Sequence, residues 1–297
     1  MKVTRVLRRR LGAAGDVARA YLPAATGRVE VLGVFLGPYR NLTTLAAAVL
    51  SLHPACRVLN HALDRVVGFP GIDPFAPAGS AAHHRFVRFA LAASTGGGRG
   101  TFGGSITRSH AFDREAMRVA AGRAPADGGR RPSVLVWKES MKVTDLFRLR
   151  GRDPVAVARA NPSVRFLYPV RNPLDCALSN VRTGHARYLA TTDPTDVGAT
   201  LDAVLVELGA FLGHRDRYPA GFHLFWEDDP PRELLAALAA HLELPADPAW
   251  MEVALEAWRP ESRHDHPAEL LDRYEDRVEA LFGDRPEVAA RLRALVR

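Results

Sequence analysis

Cysteine is almost missing from this chain: Cys56 and Cys176 are the only two among 297 residues, far apart and each beside apolar neighbours. That scarcity excludes a disulfide framework and a cysteine-built zinc site, and it predicts two buried free thiols. Also missing is any apolar run of the roughly 18 to 20 residues that a bilayer span needs. No basic stripe alternates with stacking aromatics, and no helix-turn-helix, finger or RNP pattern occurs, so nucleic acid is not expected as a partner. No Gly-Lys-Thr/Ser phosphate fingerprint is present. Residues 1–28 are basic (Lys2, Arg5, Arg8, Arg9, Arg10) but lack a signal-peptide core, which predicts a cytoplasmic protein. Val6, Leu7, Leu11, Val17 and Ala18 can form one apolar side of a helix there; packing on the domain is expected of it, with peripheral membrane contact as the alternative.

What is present begins with an excess of positive charge, +7 from 40 Lys and Arg against 33 Asp and Glu. The excess is Arg-heavy and scattered; it favours anionic ligands, although much of it is ordinary solvated surface. The length allows a large core in one α/β domain with insertions.

The organising stretch is VEVLGVFLGPYRNLTTLAAAVL, from Val29 to Leu50. Val29, Val31, Leu32, Val34, Phe35 and Leu36 read as a buried parallel strand ended by Gly37-Pro38. Arg40, Asn41, Thr43 and Thr44 then lead into an Ala- and Leu-rich helix. Strand, tight turn and helix N-terminus make an anion site: free backbone N–H groups and the positive end of the helix dipole face the turn, and an Arg with two hydroxyls adds donors. A second short strand, Cys56 to Asn60, delivers His61 to its end, and a strand Ser133 to Trp137 delivers Lys138, Glu139 and Ser140. Residues past the carboxyl ends of parallel strands gather at one crevice, so these groups are expected to share a space.

Strand Val164 to Val170 ends on Arg171-Asn172-Pro173, with Asn172 as N-cap, Pro173 as first helical residue and Asp175 in the first turn. Ser179, two turns on, is expected to share a pocket wall with Arg171. A core helix is expected over Asp196 to Arg217, a last strand over Phe222 to Trp226 followed by Glu227-Asp228-Asp229, a helix over Arg232 to Leu242, and one charged helix from Ala268 to the end. Between residues 63 and 132 only a helix from Ala81 to Ala93 is legible. The glycine-rich Ser94 to Gly104 reads as a loop, either a lid over a substrate pocket or a surface excursion.

This set resembles the sulfotransferases that use 3'-phosphoadenosine 5'-phosphosulfate (PAPS), over about residues 29–62, 132–182 and 222–245. FLYPVRNPLDCALS (Phe166 to Ser179) is similar to that family's 3'-phosphate motif, which implies that Arg171 and Ser179 hold the 3'-phosphate. GPYRNLTTL resembles its 5'-phosphosulfate loop and implies contacts from Arg40, Asn41, Leu42, Thr43 and Thr44. VLVWKES resembles its lysine-bearing strand, which gives Lys138 the charge developing on the transferring group. FHLFWEDD resembles a strand whose Trp226 lies against adenine.

The resemblance implies an α/β fold with a central parallel sheet flanked by helices, of P-loop-nucleotide-hydrolase-like sulfotransferase type. Residues 1–28 would form a basic segment, and 29–297 one domain with a variable insertion at about 63–132. The implied activity moves a sulfuryl group from PAPS to a hydroxyl or amine of a small-molecule, carbohydrate or lipid acceptor, releasing 3',5'-bisphosphoadenosine (PAP) without a metal. His61 is the first candidate base, Glu139 the second and the His264/His266 pair the third. In the family's loop a Ser and a Gly stand where this chain has Asn41 and Leu42; a Leu held at φ > 0 costs on the order of 1 kcal/mol. The alternatives are a nucleotide-dependent kinase using Asp228 or Asp229 for magnesium, and a non-catalytic nucleotide- or anion-binding protein of the same fold.

Overall fold

A computed structural model describes residues 15, 17–21, 29–96, 103–126, 131–260 and 265–296. The order of elements is β1 (Val31–Phe35), α1 (Thr43–Leu50), β2 (Cys56–Asn60), α2 (Leu63–Val67), α3 (Ala81–Ala93), β3 (Gly104–Ser105), α4 (Glu115–Arg123), β4 (Val134–Lys138), α5 (Met141–Leu149), α6 (Pro154–Ala160), β5 (Val164–Val170), α7 (Pro173–Arg182), α8 (Val197–Arg217), β6 (Phe222–Trp226), α9 (Pro231–His241), α10 (Pro248–Ala257), α11 (Ala268–Phe282) and α12 (Pro286–Ala294).

The strands form one six-stranded sheet in the order β3-β2-β4-β1-β5-β6. Five are parallel and the two-residue β3 pairs antiparallel with β2 at the edge. A strand buried on both faces must be apolar throughout, and all five residues of β1 are buried. Leu32 and Val34 enter a core cluster on one face, while Val31 and Phe35 enter a second cluster on the other. The predicted parallel sheet with helices on both faces is therefore present, with an antiparallel edge that the glycine-rich sequence around it did not announce.

The predicted helix starts hold where a capping side chain marks them. Asn172 accepts from the Leu174 and Asp175 amides, with Pro173 at the first helical position. Asp196 caps α8 by accepting from the Ala199 amide. α8 is long and apolar enough to cross a membrane, yet about half of it is buried against the rest of the protein. One expectation needs correction: the charged segment after Ala268 is two helices, because Gly283 and Pro286 interrupt the hydrogen-bond ladder between α11 and α12. Both thiols are buried and free, and desolvation pushes each up to about 12.

Residues 17–21 pack on the domain. Val17 and Ala20 are buried, Arg88 Nε donates to Ala20 O at 2.8 Å, and the Tyr21 hydroxyl donates to Pro70 O at 2.5 Å. The other expectations for the basic segment, the tip of the glycine-rich stretch at 97–102 and His264 lie outside the described residues.

Candidate active site

The carboxyl ends of β2, β4 and β1 lie side by side in the sheet, and a cleft of about 270 Å³ opens over them. Five non-glycine residues with positive φ stand at these three strand ends: Arg40 (62°), Leu42 (57°), His61 (63°), Ala62 (84°) and Ser140 (61°). Such backbone costs of the order of 1–3 kcal/mol per residue and persists only where the surroundings over-determine it. Here the determinants are visible. Asn41, 3% exposed, donates through Nδ2 to Pro169 O and accepts from the Arg171 amide at 2.9 Å, which ties the turn after β1 to the end of β5. Ser140 Oγ donates to Thr43 Oγ1 at 3.0 Å, tying the start of α5 to the start of α1.

Leu42 is the N-cap of α1, in the left-handed region, and gives the helix no side-chain cap. The first-turn amides are consequently left to the cleft, which Leu42, Thr43, Thr44 and Leu45 all line. Arg40, Lys138, Arg171 and Arg114 line it as well, and no Asp or Glu does among the described residues. A site with four cations, an open helix N-terminus and no lining carboxylate suits a polyanion.

The cations are held individually. Arg40 Nε donates to Ser179 Oγ at 2.9 Å; burial first and the neighbouring Arg171 second lower its pKa. Arg171 is 5% exposed, with Nη2 3.4 Å from Asp175 Oδ2 and Nη1 donating to Arg40 O at 3.4 Å. Lys138 is 4% exposed, and desolvation brings its ammonium down to about 8, against the pull of Glu139.

His61 is pinned on three sides. Its amide donates to Lys138 O at 2.8 Å, its carbonyl accepts from Trp137 Nε1 at 2.8 Å, and its Nδ1 lies 3.5 Å from Glu139 Oε1. Desolvation and then the Lys138 charge lower its pKa, with Glu139 opposing, so the imidazole is neutral at pH 7. Glu139, 1% exposed, does not line the cleft: its other oxygen accepts from the Leu63 amide at 3.1 Å, at the start of α2.

Of the sequence-predicted residues, Arg40, Leu42, Thr43, Thr44, His61, Lys138 and Arg171 meet at the cleft. Asn41, Glu139 and Ser179 support it from behind through the bonds above. Two others are elsewhere. Trp226 is 7% exposed at the end of β6, outside the cleft lining, with the Arg291 guanidinium 4.8 Å above its ring. His266 Nε2 lies 3.1 Å from Asp175 Oδ1, and neither residue lines the cleft.

Sequence reasoning passed over several cleft residues. Asn60 and Ser109 are buried in its wall, and Asn60 Oδ1 and Ser109 Oγ have no hydrogen-bond partner among the described residues. Tyr39, His110, Ala111, Arg114 and His185 complete the lining. Asn60 was findable, being the last residue of β2 beside His61. Ser109, His110 and Arg114 come from a stretch of short turns with no periodicity to read.

No family model matches the chain, and no curated protein does. Solved structures similar to it include mouse sulfotransferase SULT7A1 complexed with PAP (TM-score 0.45, 11% identity, 91% of this chain and 90% of that one). Others are sulfotransferase STF9 from Mycobacterium avium (0.43, 13%, 88% and 77%) and a sulfotransferase from Alicyclobacillus acidocaldarius (0.40, 15%, 91% and 96%). Likenesses this distant do not decide what this chain binds or does.

Proposed function

We propose that the cleft is the donor site of a sulfotransferase that moves a sulfuryl group from PAPS to a hydroxyl or amine of a small-molecule, carbohydrate or lipid acceptor in the cytoplasm. The observation that carries this reading is the concentration of Arg40, Lys138, Arg171 and Arg114 in a cleft without a lining carboxylate, over the open N-terminus of α1. Those residues fit a nucleotide with phosphates and a sulfuryl group. Arg171 and the Arg40–Ser179 pair would hold phosphate oxygens, and the α1 amides with Thr43 and Thr44 the phosphosulfate end. PAPS supplies an activated sulfuryl group whose transfer depends on positioning and charge stabilisation rather than on a protein nucleophile.

Each side chain then has a defined task. Lys138 brings a nearly fully buried positive charge to where negative charge grows on the leaving phosphate. His61, neutral at pH 7 and oriented by Glu139, accepts the proton of the acceptor hydroxyl. The kinase reading is less well served: Asp229 accepts from the Trp226 amide at 2.7 Å, and both Asp228 and Asp229 are paired with Arg291, away from the cleft lining.

The test is isothermal titration with PAP alongside radiolabelled sulfuryl transfer from PAPS to an acceptor panel. Lys138→Ala is expected to cut turnover roughly a hundredfold with little loss of PAP affinity, and Arg171→Ala to weaken PAP binding by about tenfold or more. Equal affinity losses in both variants contradict the division of roles. Tight PAP binding with no transfer to any acceptor favours a non-catalytic binding protein, and stabilisation by ATP with magnesium alone favours a kinase.

A further inference from the structure

The chain around the end of α2 divides its apolar residues between core and solvent. Val66 and Ile72 are buried in the core cluster on one face of the sheet, while Val67 and Phe69 between them are 43% and 38% exposed. Gly68, Pro70 and Gly71 are exposed too, so residues 67–71 form an uncovered apolar tip. Its backbone is fixed at both ends. The Gly68 amide donates to Asp64 O at 3.2 Å and the Ile72 amide to Phe69 O at 3.4 Å, with Gly71 in the left-handed region at φ 77°.

Tyr21, 45% exposed, joins this tip through the bond from its hydroxyl to Pro70 O. Six large apolar side chains are exposed among the described residues, and Tyr21, Val67 and Phe69 are three of them. An exposed apolar residue standing singly is ordinary, whereas a group of them marks a contact surface.

The charge around the tip has one sign. Residues 17–21, residues 65–72 and the whole of α3 contain no Asp or Glu. On α3, the Arg85 guanidinium lies 5.2 Å over the Tyr21 ring and donates through Nη1 to Gly71 O at 3.4 Å, and Arg88 Nε donates to Ala20 O at 2.8 Å. Backbone carbonyls thus orient both guanidiniums, and no carboxylate among the described residues neutralises either. The two carboxylates that flank the tip are already paired, Asp64 with Lys142 at 3.6 Å and Asp73 with Arg152 at 2.9 Å. In the sequence, residues 1–15 lead into the segment of Tyr21 with Lys2, Arg5, Arg8, Arg9 and Arg10 and no acidic residue.

We propose that this face docks on an anionic phospholipid bilayer, with Val67, Phe69 and Tyr21 entering the boundary between headgroups and acyl chains and Arg85 and Arg88 meeting lipid phosphates. A tyrosine, apolar in its ring and polar at its tip, settles at that boundary. A few apolar side chains or a few cations alone give marginal attachment, and the two together give a stable one. A nucleic acid or an acidic protein would use the arginines and leave Val67 and Phe69 without a role. The face shares no residue with the cleft lining, so the inference does not depend on sulfuryl transfer.

The experiment sediments the full chain with vesicles of phosphatidylcholine and, separately, of phosphatidylcholine and phosphatidylglycerol in equal parts. The mixed vesicles are expected to bind about tenfold more tightly or better. Val67→Ser combined with Phe69→Ser, both at exposed positions, should weaken that binding by about tenfold. Arg85→Gln combined with Arg88→Gln should cost about as much. Val119→Ser changes an exposed apolar residue of α4, which packs on the other face of the sheet, and should leave binding unchanged. Phe69→Trp should add emission that lipids brominated on their acyl chains quench. Equal binding to both vesicles, affinity unchanged in either double variant, a matching loss in Val119→Ser, or no added quenching would each overturn the assignment. Affinity that survives the loss of Val67 and Phe69 would mark a patch for polyanions in water instead.

Discussion

Arg40 and Ser179, 139 residues apart in the chain, are joined by a 2.9 Å hydrogen bond from Nε to Oγ. The bond links the turn after β1 to the second turn of α7. Ser179 thereby holds the Arg40 guanidinium in place, while Arg171 donates to the Arg40 carbonyl from the end of β5. A residue acting through another leaves a coupling signature in a double-variant cycle. Arg40→Ala is expected to weaken PAP binding by about ten- to a hundredfold, the worth of charge-assisted hydrogen bonds at about 1.5–3 kcal/mol. Ser179→Ala alone should cost about fivefold. The double variant should lose little beyond Arg40→Ala. Fully additive losses by calorimetry would show that Ser179 does not act through Arg40.

The strained Leu42 allows a contrast with its neighbour. Leu42 is half-buried at φ 57°, whereas Leu45 is 7% exposed inside α1. Leu42→Gly loses some apolar contact but relieves about 1–2 kcal/mol of left-handed strain, so its stability should stay within about 1 kcal/mol of wild type. Leu45→Gly loses a buried side chain and adds a glycine to a helix, at a cost of about 3–5 kcal/mol. Urea midpoints separate the two; equal destabilisation would mean that the turn does not store strain at Leu42.

Gly37 offers a second contrast, this time between two glycines of similar backbone conformation. At Gly37 (φ 87°) a Cβ would meet the Tyr168 ring at 2.2 Å, and its amide donates to Thr144 Oγ1 at 3.1 Å. At Gly79 (φ 80°) nothing lies within 4 Å of a Cβ. Gly79→Ala should cost about 1 kcal/mol, for backbone strain alone. Gly37→Ala should cost about 3 kcal/mol or more, and because the displaced segment carries Arg40 it should also reduce PAP affinity. Thermal unfolding of both variants, with PAP titration of whichever folds, checks the difference.

The strands and their delivered side chains were legible because periodicity and capping are local. β2 ends at Asn60 as read, Asn172 caps α7 as read, and Lys138 stands at the end of β4. The shape of the crevice was not legible, and the reason is physical. Beyond Gly37, its turns take positive φ at Arg40, Leu42, His61, Ala62 and Ser140, and at those five positions the residue type that marks such backbone in a sequence is absent. What enforces the turns is long-range: Asn41 reaches β5, and Ser140 reaches Thr43 from 97 residues away. Asn41 looked like a departure from a Ser and proves to be the tie between two strand ends. Ser109 and Arg114 escaped notice because they enter the cleft from short turns, where neither a 3.6-residue nor a 2-residue period exists.

Lys138 makes the last prediction, one of opposite slopes with pH. Burial lowers its pKa to about 8 from an ordinary 10.5. Between these two values the unfolded chain holds more protons at this site than the folded one, so this group's contribution to stability grows as pH rises from about 8 toward 10.5 and is lost as pH falls back through 8. Turnover runs the other way. The ammonium that faces the cleft is lost as pH rises through about 8, so turnover at saturating PAPS should fall above that value while PAP affinity changes little. Glu139 opposes the shift but accepts from the Leu63 amide and lies beside His61, so it does not form a dedicated pair with Lys138. Chemical denaturation and sulfuryl-transfer assays at saturating PAPS across pH 7 to 10 measure the two slopes. In Lys138→Arg, whose guanidinium stays charged throughout that range, both should flatten. Parallel losses of stability and turnover above pH 8 in the wild type would instead point to alkaline unfolding, and Lys138 would then not be the group whose charge sets the rate.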